Sequence, residues 1–267
     1  MKETIGKYLS LVKFAHTIFA MPFALAGFFI AVNHTKEFNW YLLILVVLCM
    51  IFARNAAMGF NRFIDRDFDA ANKRTAVREI PAGKIKPQKA LLFVIINSVL
   101  FIITTYFLNE NKLAFYLSPL ALLVILGYSL CKRFTSLSHI VLGIGLALAP
   151  IGAYIAVCGE FALVPVLMSF MVLFWVSGFD IIYALQDIDF DKSQKLKSIP
   201  SWLGIKNSLI FSFILHLFSF ALVIIIGLSA DWGIFYWIGG GIFAALLIYQ
   251  HLIVKTNDLS RINLAFF

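Results

Sequence analysis

Long apolar runs, separated by short polar or charged stretches, dominate this chain. Eight runs have about the 20 residues that an α-helix needs to cross the hydrocarbon core of a bilayer. Strands are a poor alternative, because open strands cannot pair their backbone groups in lipid and the ten-residue alternation of barrel strands is missing. The pattern therefore predicts an all-α, polytopic transmembrane helical bundle. The predicted spans are Phe14–Val32, Trp40–Phe60, Ala90–Leu108, Leu113–Leu130, His139–Val157, Ala162–Leu185, Ser208–Leu228 and Trp232–Val254.

Composition and charge agree with a membrane protein and fix its predicted orientation. The chain is 61% hydrophobic and only 13% charged. Nineteen of its 22 Lys and Arg residues fall on one predicted face, in residues 1–13, 61–89, 131–138, 186–207 and from 255 onward. Because basic residues concentrate in cytoplasmic loops, this face is predicted to be cytoplasmic. The formal net charge of +8 thus indicates topology, and we expect no nucleic-acid partner.

Two acidic clusters occupy corresponding places in the two halves of the chain. Residues 65–69 and 187–191 share the pattern Asp-x-Asp-Phe-Asp, and a lysine follows the last aspartate of each by four positions. Each cluster closes an apolar run and precedes a basic stretch with an Ile-Pro pair, Ile80-Pro81 or Ile199-Pro200. The match predicts two pseudo-repeated halves that place corresponding features on the same side of the membrane.

The spacing within the clusters predicts a metal site. Asn61, Asp65 and Asp69 recur every four residues, so on a helix they form one stripe with a rise of about 6 Å per step. Asp187 and Asp191 repeat the spacing, and the middle aspartate of each cluster is predicted to turn away. Carboxylates beside hydrocarbon are costly unless they are paired or bind a cation. Oxygen ligands in this arrangement suit Mg²⁺, with a substrate diphosphate completing its coordination.

Basic side chains around the clusters are candidates for binding that diphosphate. Arg62, Arg66 and Lys192 add to the local positive charge. A simpler interpretation is that the acids neutralise the basic loops, and Lys132-Arg133 taken alone would be an ordinary topology anchor. The candidate diphosphate ligands are Lys73, Arg74, Arg78, Lys132, Arg133 and Lys197.

Arg54 is a separate signal, because it lies inside a predicted span, two helical turns before Asn61. A guanidinium buried there needs a partner. It either holds an acidic metal ligand in place or binds the carboxylate of a substrate. Asp180, on a similar helix face seven residues before Asp187, is its predicted structural partner.

Three segments together resemble a known family. The first runs from Asn61-Arg62-Phe63-Ile64-Asp65 through Lys73-Arg74-Thr75 to Arg78-Glu79-Ile80-Pro81-Ala82-Gly83. It looks like the first signature of the UbiA superfamily of intramembrane aromatic prenyltransferases. Residues 183–200 look like the second signature, and Tyr128-Ser129 with Lys132-Arg133 and Thr135 resembles the segment between them. The resemblance covers nearly the whole chain, so we expect a single domain over residues 1–267.

The resemblance implies a fold and a ligand set. The family has nine spans, one more than we predict for this sequence, around a central cavity that opens laterally to lipid. Asn61, Asp65, Asp69, Asp187 and Asp191 would arrange Mg²⁺ and a prenyl diphosphate, and Lys132 and Arg133 gain a role at the diphosphate. Arg62 departs from the pattern, because many relatives carry an acid there.

The resemblance also implies an activity, and it is strongest to 4-hydroxybenzoate polyprenyltransferases. The expected reaction is Mg²⁺-dependent transfer from a polyprenyl diphosphate to a small aromatic acid, in the bacterial inner membrane, with the active site opening to the cytoplasm. Asp65, Asp187 and Asp191 are the expected catalytic residues, and Arg54 would bind the acceptor. The acceptor is 4-hydroxybenzoate for ubiquinone synthesis or, alternatively, a dihydroxynaphthoate for menaquinone. A cation-coupled transporter is the rival from another class.

Overall fold

The structure, a computed structural model, describes residues 2–266, with side chains described for residues 6–13 and 21–265. The all-α prediction is confirmed: within residues 2–266 the one β pairing is an isolated bridge between Lys255 and Asp258. The helices are α1 (Lys2–Leu11), α2 (Phe14–Thr35), α3 (Trp40–Ile64), α4 (Arg66–Ala71), α5 (Pro87–Tyr106), α6 (Leu113–Cys131), α7 (Ser138–Cys158), α8 (Leu163–Ala184), α9 (Ile188–Ser193), α10 (Ile199–Ser229), α11 (Ile234–Ile253) and α12 (Ile262–Phe266).

Seven helical segments in the described part of the chain are long and apolar enough to cross a membrane. They are α3, α5, α6, α7, α8 with its continuation through α9, α10 and α11. They coincide with seven of the eight predicted spans. The remaining one, Phe14–Val32, falls on α2, but the side chains of residues 14–20 lie outside the described set, which leaves the shorter apolar stretch Met21–Thr35.

The chain forms two compact units. Unit 1 comprises Met1–Leu130 and Leu148–Phe161, and unit 2 comprises Cys131–Ala147 and Ala162–Phe267. The most extensive helix contact is between α3 and α5 in unit 1 and between α8 and α10 in unit 2. In each unit, therefore, the helix that runs into an acidic cluster packs on the next long helix. This is the predicted duplication, whereas the single-domain assignment stays a prediction.

Polar side chains fix the register of these two helix pairs. In unit 1, Asn55 Nδ2 of α3 donates to Asn97 Oδ1 of α5 at 3.1 Å. In unit 2, the Ser212 hydroxyl of α10 donates to the Gly178 carbonyl of α8 at 2.7 Å. Such bonds hold membrane helices together because lipid provides no competing partner. The two acidic clusters are thus carried on braced helices.

α10 begins earlier than the predicted span, which started at Ser208. Its first turn is closed by a capping box, in which Ser201 N donates to Ser198 Oγ at 3.2 Å and Ser198 N donates to Ser201 Oγ at 2.8 Å. Gly204 then breaks the helix with φ of 75°, a conformation that glycine adopts without steric cost. The apolar pattern detected only the helix beyond this kink.

The two Ile-Pro pairs, predicted to correspond, have different structures. Ile199-Pro200 opens α10, whereas Ile80-Pro81 lies in a run of turns and α5 begins later, at Pro87. Buried Ile80 packs with Leu11, Ile85 and Ala90. Ile80 therefore anchors the loop after the first cluster to α1 and α5.

Candidate active site

The first acidic cluster forms where a long helix passes into a short one. Asp65 lies between α3 and the six-residue α4, with φ of −90° and ψ of 4°. The backbone bonding nevertheless continues through it, since Asp65 N donates to Asn61 O at 2.9 Å and Asp69 N donates to Asp65 O at 2.7 Å. Asn61, Asp65 and Asp69 therefore remain on one side, and the predicted stripe is confirmed.

Two carboxylates of this stripe are buried. Asp65 is 3% exposed and Asp69 is 5% exposed. Asn61 Nδ2 donates to Asp65 Oδ2 at 3.2 Å, and Arg78 Nη1 donates to Asp69 Oδ1 at 2.6 Å. Asp69 Oδ2 is buried and has no hydrogen-bond partner among the described residues. A buried carboxylate oxygen is costly to leave unpaired, so this atom is suited to a cation.

Asp67 behaves differently, as the spacing predicted. Its side chain is 83% exposed and lies 3.7 Å from Arg66 Nη2. Charge neutralisation on the surface, the simpler interpretation of the acids, therefore applies to Asp67. It applies only in part to Asp69, which is buried and pairs with Arg78 through one of its two oxygens, and it does not account for buried Asp65.

Several basic side chains lie close to the first cluster. Arg62 is 5% exposed and within electrostatic range of both Arg78 and Asp69. Partial burial lowers the pKa of the Lys13 ammonium, and the guanidiniums of Arg62, Arg78 and Arg74 lower it further. Like charges gathered in this way favour an anion. Of the predicted diphosphate ligands in unit 1, Arg78 is bonded to Asp69, Arg74 contributes to this field and Lys73 is exposed.

Arg54 lies on α3, and the structure describes no carboxylate partner for it. Its Nε is buried without a hydrogen-bond partner in the described part of the chain, and its ionisable neighbour is Tyr128. Asp180, its predicted structural partner, instead pairs with His139, with Asp180 Oδ2 2.7 Å from His139 Nδ1. The brace between Arg54 and Asp180 therefore stays a prediction, as does ligand binding by Arg54.

The second cluster also lies where a long helix passes into a short one, but a 3₁₀ turn precedes the junction. After α8 the chain makes one 3₁₀ turn, Leu185–Asp187, and then forms the six-residue α9. Asp187 occupies the junction with φ of −106° and ψ of 7°, close to the values of Asp65. Asp187 and Asp191 are partly buried, whereas Asp189 is exposed, as predicted.

Asp191 is held by the segment that leads into α10. The Ser198 side chain, Lys132 and Asp187 all lie within electrostatic range of its carboxylate. The Asp191 carbonyl accepts from Leu196 N at 2.8 Å. Ser198, which caps α10, therefore also lies near Asp191.

The predicted diphosphate ligands of unit 2 are partly brought together. Lys197 N donates to Lys132 O at 2.7 Å, and Lys197 Nζ donates to Phe134 O at 3.1 Å. The link between α6 and α7 thus lies against the segment after α9. Lys132 and Arg133 are partly buried there, whereas Lys197 is exposed.

The oxygen ligands of the two clusters fit a hard cation that takes its other ligands from water or a substrate. No three His, Cys, Asp or Glu side chains among the described residues form a metal site of their own. Each cluster instead offers two carboxylates, and the first adds the Asn61 amide and the unpartnered Asp69 Oδ2. Mg²⁺ is commonly bound by one or two carboxylates together with water and substrate phosphates. The residues present therefore fit Mg²⁺.

Comparison with known proteins decides the family. The model of the UbiA prenyltransferase family matches residues 20–267. The chain belongs to this family. The UbiA resemblance inferred from residues 61–83 and 183–200 is thus confirmed, and the rival interpretation as a cation-coupled transporter is excluded.

Individual UbiA relatives agree with this assignment. The 4-hydroxybenzoate octaprenyltransferase of Photobacterium profundum is 33% identical over 225 residues, 82% of this chain and 76% of that protein. The solved structure of a UbiA homologue from Aeropyrum pernix K1 is 32% identical with a TM-score of 0.85, and the match covers 94% of this chain and 93% of that one. A UbiA homologue from Archaeoglobus fulgidus bound to GPP and Mg²⁺ is 22% identical with a TM-score of 0.73, covering 97% and 95%. At that identity, the last match shows the shared fold alone.

Three residues of this UbiA chain escaped the sequence analysis. They are Lys13, Ser198 and His139, to which the sequence patterns assigned no role at the site. Their roles depend on contacts with distant segments, such as the 41-residue separation between His139 and Asp180. No local spacing in the sequence carries that information.

Proposed function

We propose that this protein transfers a polyprenyl group from a polyprenyl diphosphate to an aromatic acid, most simply 4-hydroxybenzoate, in a reaction that requires Mg²⁺. The observation that carries the proposal is the repeated junction, at which Asp65 and Asp187 occupy matching positions between a long helix and a six-residue helix. The name of the Photobacterium profundum relative supports the choice of acceptor.

The acidic residues would bind the metal, and the basic residues would bind the diphosphate. Bound Mg²⁺ would neutralise charge on the leaving diphosphate. Mg²⁺ is also the cation in the Archaeoglobus fulgidus structure with GPP. The proposed metal ligands are Asn61, Asp65, Asp69, Asp187 and Asp191. The proposed diphosphate ligands are Lys73, Arg74, Arg78, Lys132, Arg133 and Lys197.

In the proposed reaction, the bond between the allylic carbon and the diphosphate oxygen breaks, and both electrons leave with the diphosphate. The ring carbon beside the phenolic hydroxyl forms the new bond to the allylic carbon and then loses its proton. Asp187 or Asp191 takes that proton. Lys and Arg side chains aimed at the diphosphate stabilise charge where it develops, which is the main electrostatic contribution of the protein.

Arg54 would bind the carboxylate of the acceptor. Its buried Nε has no hydrogen-bond partner among the described residues, and a carboxylate can accept two parallel hydrogen bonds from a guanidinium. A dihydroxynaphthoate also carries a carboxylate and an activated ring, so it is the second candidate. The geometry of Arg54 supports the class of acceptor, an aromatic acid.

The excess of Lys and Arg on one predicted face supports a location in the bacterial inner membrane with the active site toward the cytoplasm. Both acidic junctions follow apolar helices on that basic side. Membrane lipid would surround the exposed apolar side chains of these helices, such as Leu92, Ile96 and Leu217.

Membranes containing the protein should be incubated with Mg²⁺, labelled prenyl diphosphates and a panel of aromatic acids. We expect label to enter 4-hydroxybenzoate and not benzoate, which lacks the activating hydroxyl. Transfer to a dihydroxynaphthoate alone would replace the acceptor but keep the reaction class. Failure to prenylate any aromatic acid would contradict the proposal.

A further inference from the structure

His139 is held rigidly near the second acidic cluster. It lies in the first turn of α7 and is 6% exposed. Ser177 Oγ of α8 donates to the His139 carbonyl at 3.3 Å. Gly143, one turn later, lets the helices approach closely, since a Cβ there would lie 2.2 Å from Ser177 Oγ. The position of the imidazole is therefore fixed by α7 and α8.

One ring nitrogen of His139 is occupied and the other is not. His139 Nδ1 lies 2.7 Å from Asp180 Oδ2, and a carboxylate only accepts, so Nδ1 carries the hydrogen. In the neutral ring, Nε2 then presents a lone pair. This Nε2 is buried and has no hydrogen-bond partner in the described part of the chain. His139 Nε2 can therefore accept a hydrogen bond for which the described residues supply no donor.

Another buried histidine of unit 2 shows the contrast. His216 is 2% exposed, and both of its ring nitrogens have partners. Nδ1 lies 2.8 Å from His251 Nε2, and Nε2 lies 3.2 Å from the Trp175 carbonyl. A histidine that only braces helices has its polar atoms satisfied in this way. His139 differs because its second nitrogen is left for something else.

The surroundings of His139 indicate which kind of group would bind to Nε2. The imidazole lies within electrostatic range of Asp191, a proposed metal ligand and candidate proton acceptor. The proposed Mg²⁺ is a poor candidate for Nε2, because this cation prefers oxygen ligands to an imidazole nitrogen. The aromatic acceptor, by contrast, carries a neutral donor, its phenolic hydroxyl.

We propose that His139 Nε2 accepts a hydrogen bond from the phenolic hydroxyl of the acceptor, and that Asp180 fixes the tautomer that makes this possible. The inference rests on the proposed function and makes His139 a residue that selects hydroxylated aromatic acids. It holds for 4-hydroxybenzoate and for a dihydroxynaphthoate alike, because both carry such a hydroxyl.

The test removes the hydrogen bond in two ways: by using an acid without the hydroxyl group and by replacing His139. Dissociation constants of 4-hydroxybenzoate and benzoate are measured on the full chain in detergent, with Mg²⁺ and an unreactive prenyl thiodiphosphate. If these acids bind weakly, 1,4-dihydroxy-2-naphthoate and 2-naphthoate form the equivalent pair. We expect wild-type protein to prefer the hydroxylated acid about tenfold, the value of a hydrogen bond in a buried site. His139→Phe should lose the preference while binding benzoate unchanged.

Two further variants distinguish recognition from structure. His139→Gln keeps an accepting oxygen and should retain most of the preference. Asp180→Asn is almost the same size, but its amide donates to Nδ1, so the hydrogen moves to Nε2 and the preference should disappear. His216→Gln, a control from the same unit, should keep the wild-type ratio.

The outcomes separate this inference from the proposed function. An unchanged preference in Asp180→Asn and in folded His139→Phe overturns the role of His139, even though the enzyme still prenylates its acceptor. Equal weakening of both acids in these variants also overturns it, because a structural role or a bound water predicts that result. Wild-type protein that binds and prenylates no aromatic acid would instead defeat the proposed function.

Discussion

The two acidic junctions have similar backbone conformations but differ in the side chains that surround their carboxylates. Asp65 and Asp187 have nearly the same φ and ψ, and each precedes a six-residue helix. Asp69 is buried and bonded to Arg78, whereas Asp191 is only partly buried and lies near the Ser198 side chain. A guanidinium neutralises a carboxylate, but a hydroxyl does not. Arg78 therefore offsets part of the charge of Asp69 and leaves Asp69 Oδ2 for a cation.

The largest expected effect comes from removing one carboxylate at either junction. Asp65→Ala and Asp187→Ala should each reduce prenyl transfer below about one percent of wild type, because each removes charge stabilisation at the leaving diphosphate. Transfer is measured with labelled prenyl diphosphate in detergent. The matched controls are Asp67→Ala and Asp189→Ala, the exposed members of the clusters, which should remain within about twofold because exposed charges contribute little. Near-normal turnover in a folded Asp65→Ala or Asp187→Ala protein would contradict the claim that both junctions are needed for prenyl transfer.

A smaller effect is expected from replacing Arg54, which lies two helical turns before Asn61 on α3. Arg54→Leu should raise the dissociation constant of the aromatic acid about 10- to 150-fold, the value of a charge-assisted contact of roughly 1.5–3 kcal/mol. Affinity for the prenyl diphosphate should hardly change. Both affinities and the melting temperature are measured on the same variant. Unchanged acceptor affinity would rule out carboxylate binding by Arg54, whatever happens to stability.

The smallest effects are expected on stability, when Arg78 or Ser198 is replaced. Arg78→Leu leaves the Asp69 carboxylate buried without its partner and should destabilise the protein by about 1–3 kcal/mol. Ser198→Ala removes a helix cap and should cost about 1 kcal/mol. Melting temperatures in detergent, with exposed Lys84→Leu as control, should therefore fall most in Arg78→Leu. A larger fall in Ser198→Ala would reverse the comparison between the junctions.

The sequence predicted the features of the site that follow from local spacing. A period of four residues placed Asn61, Asp65 and Asp69 on one side, and the same period exposed Asp67 and Asp189. Backbone bonds through Asp65 keep that period across the helix junction, which is why a rule for regular helices succeeded. Apolar runs likewise located the spans, because burial in lipid depends on length and composition.

Features that depend on contacts between distant segments could not be predicted in this way. Asp180 is bonded to His139, and nothing in the spacing around either residue indicates this contact. The start of α10 was missed for another reason: its first turn is closed by a capping box and is separated from the long apolar run by Gly204, whose positive φ interrupts the helix. Hydrophobic periodicity detects buried helix faces and does not detect such turns.

Binding of an unreactive prenyl thiodiphosphate to the wild-type chain, with Mg²⁺ and then with excess chelator, tests the central claim most directly. The central claim is that both junctions bind Mg²⁺ together with the prenyl diphosphate. The account predicts tight binding that chelator abolishes and Mg²⁺ restores, and weak binding at any Mg²⁺ concentration in both Asp65→Ala and Asp187→Ala. Equally tight binding in excess chelator, or full Mg²⁺-dependent binding in either variant, would contradict it.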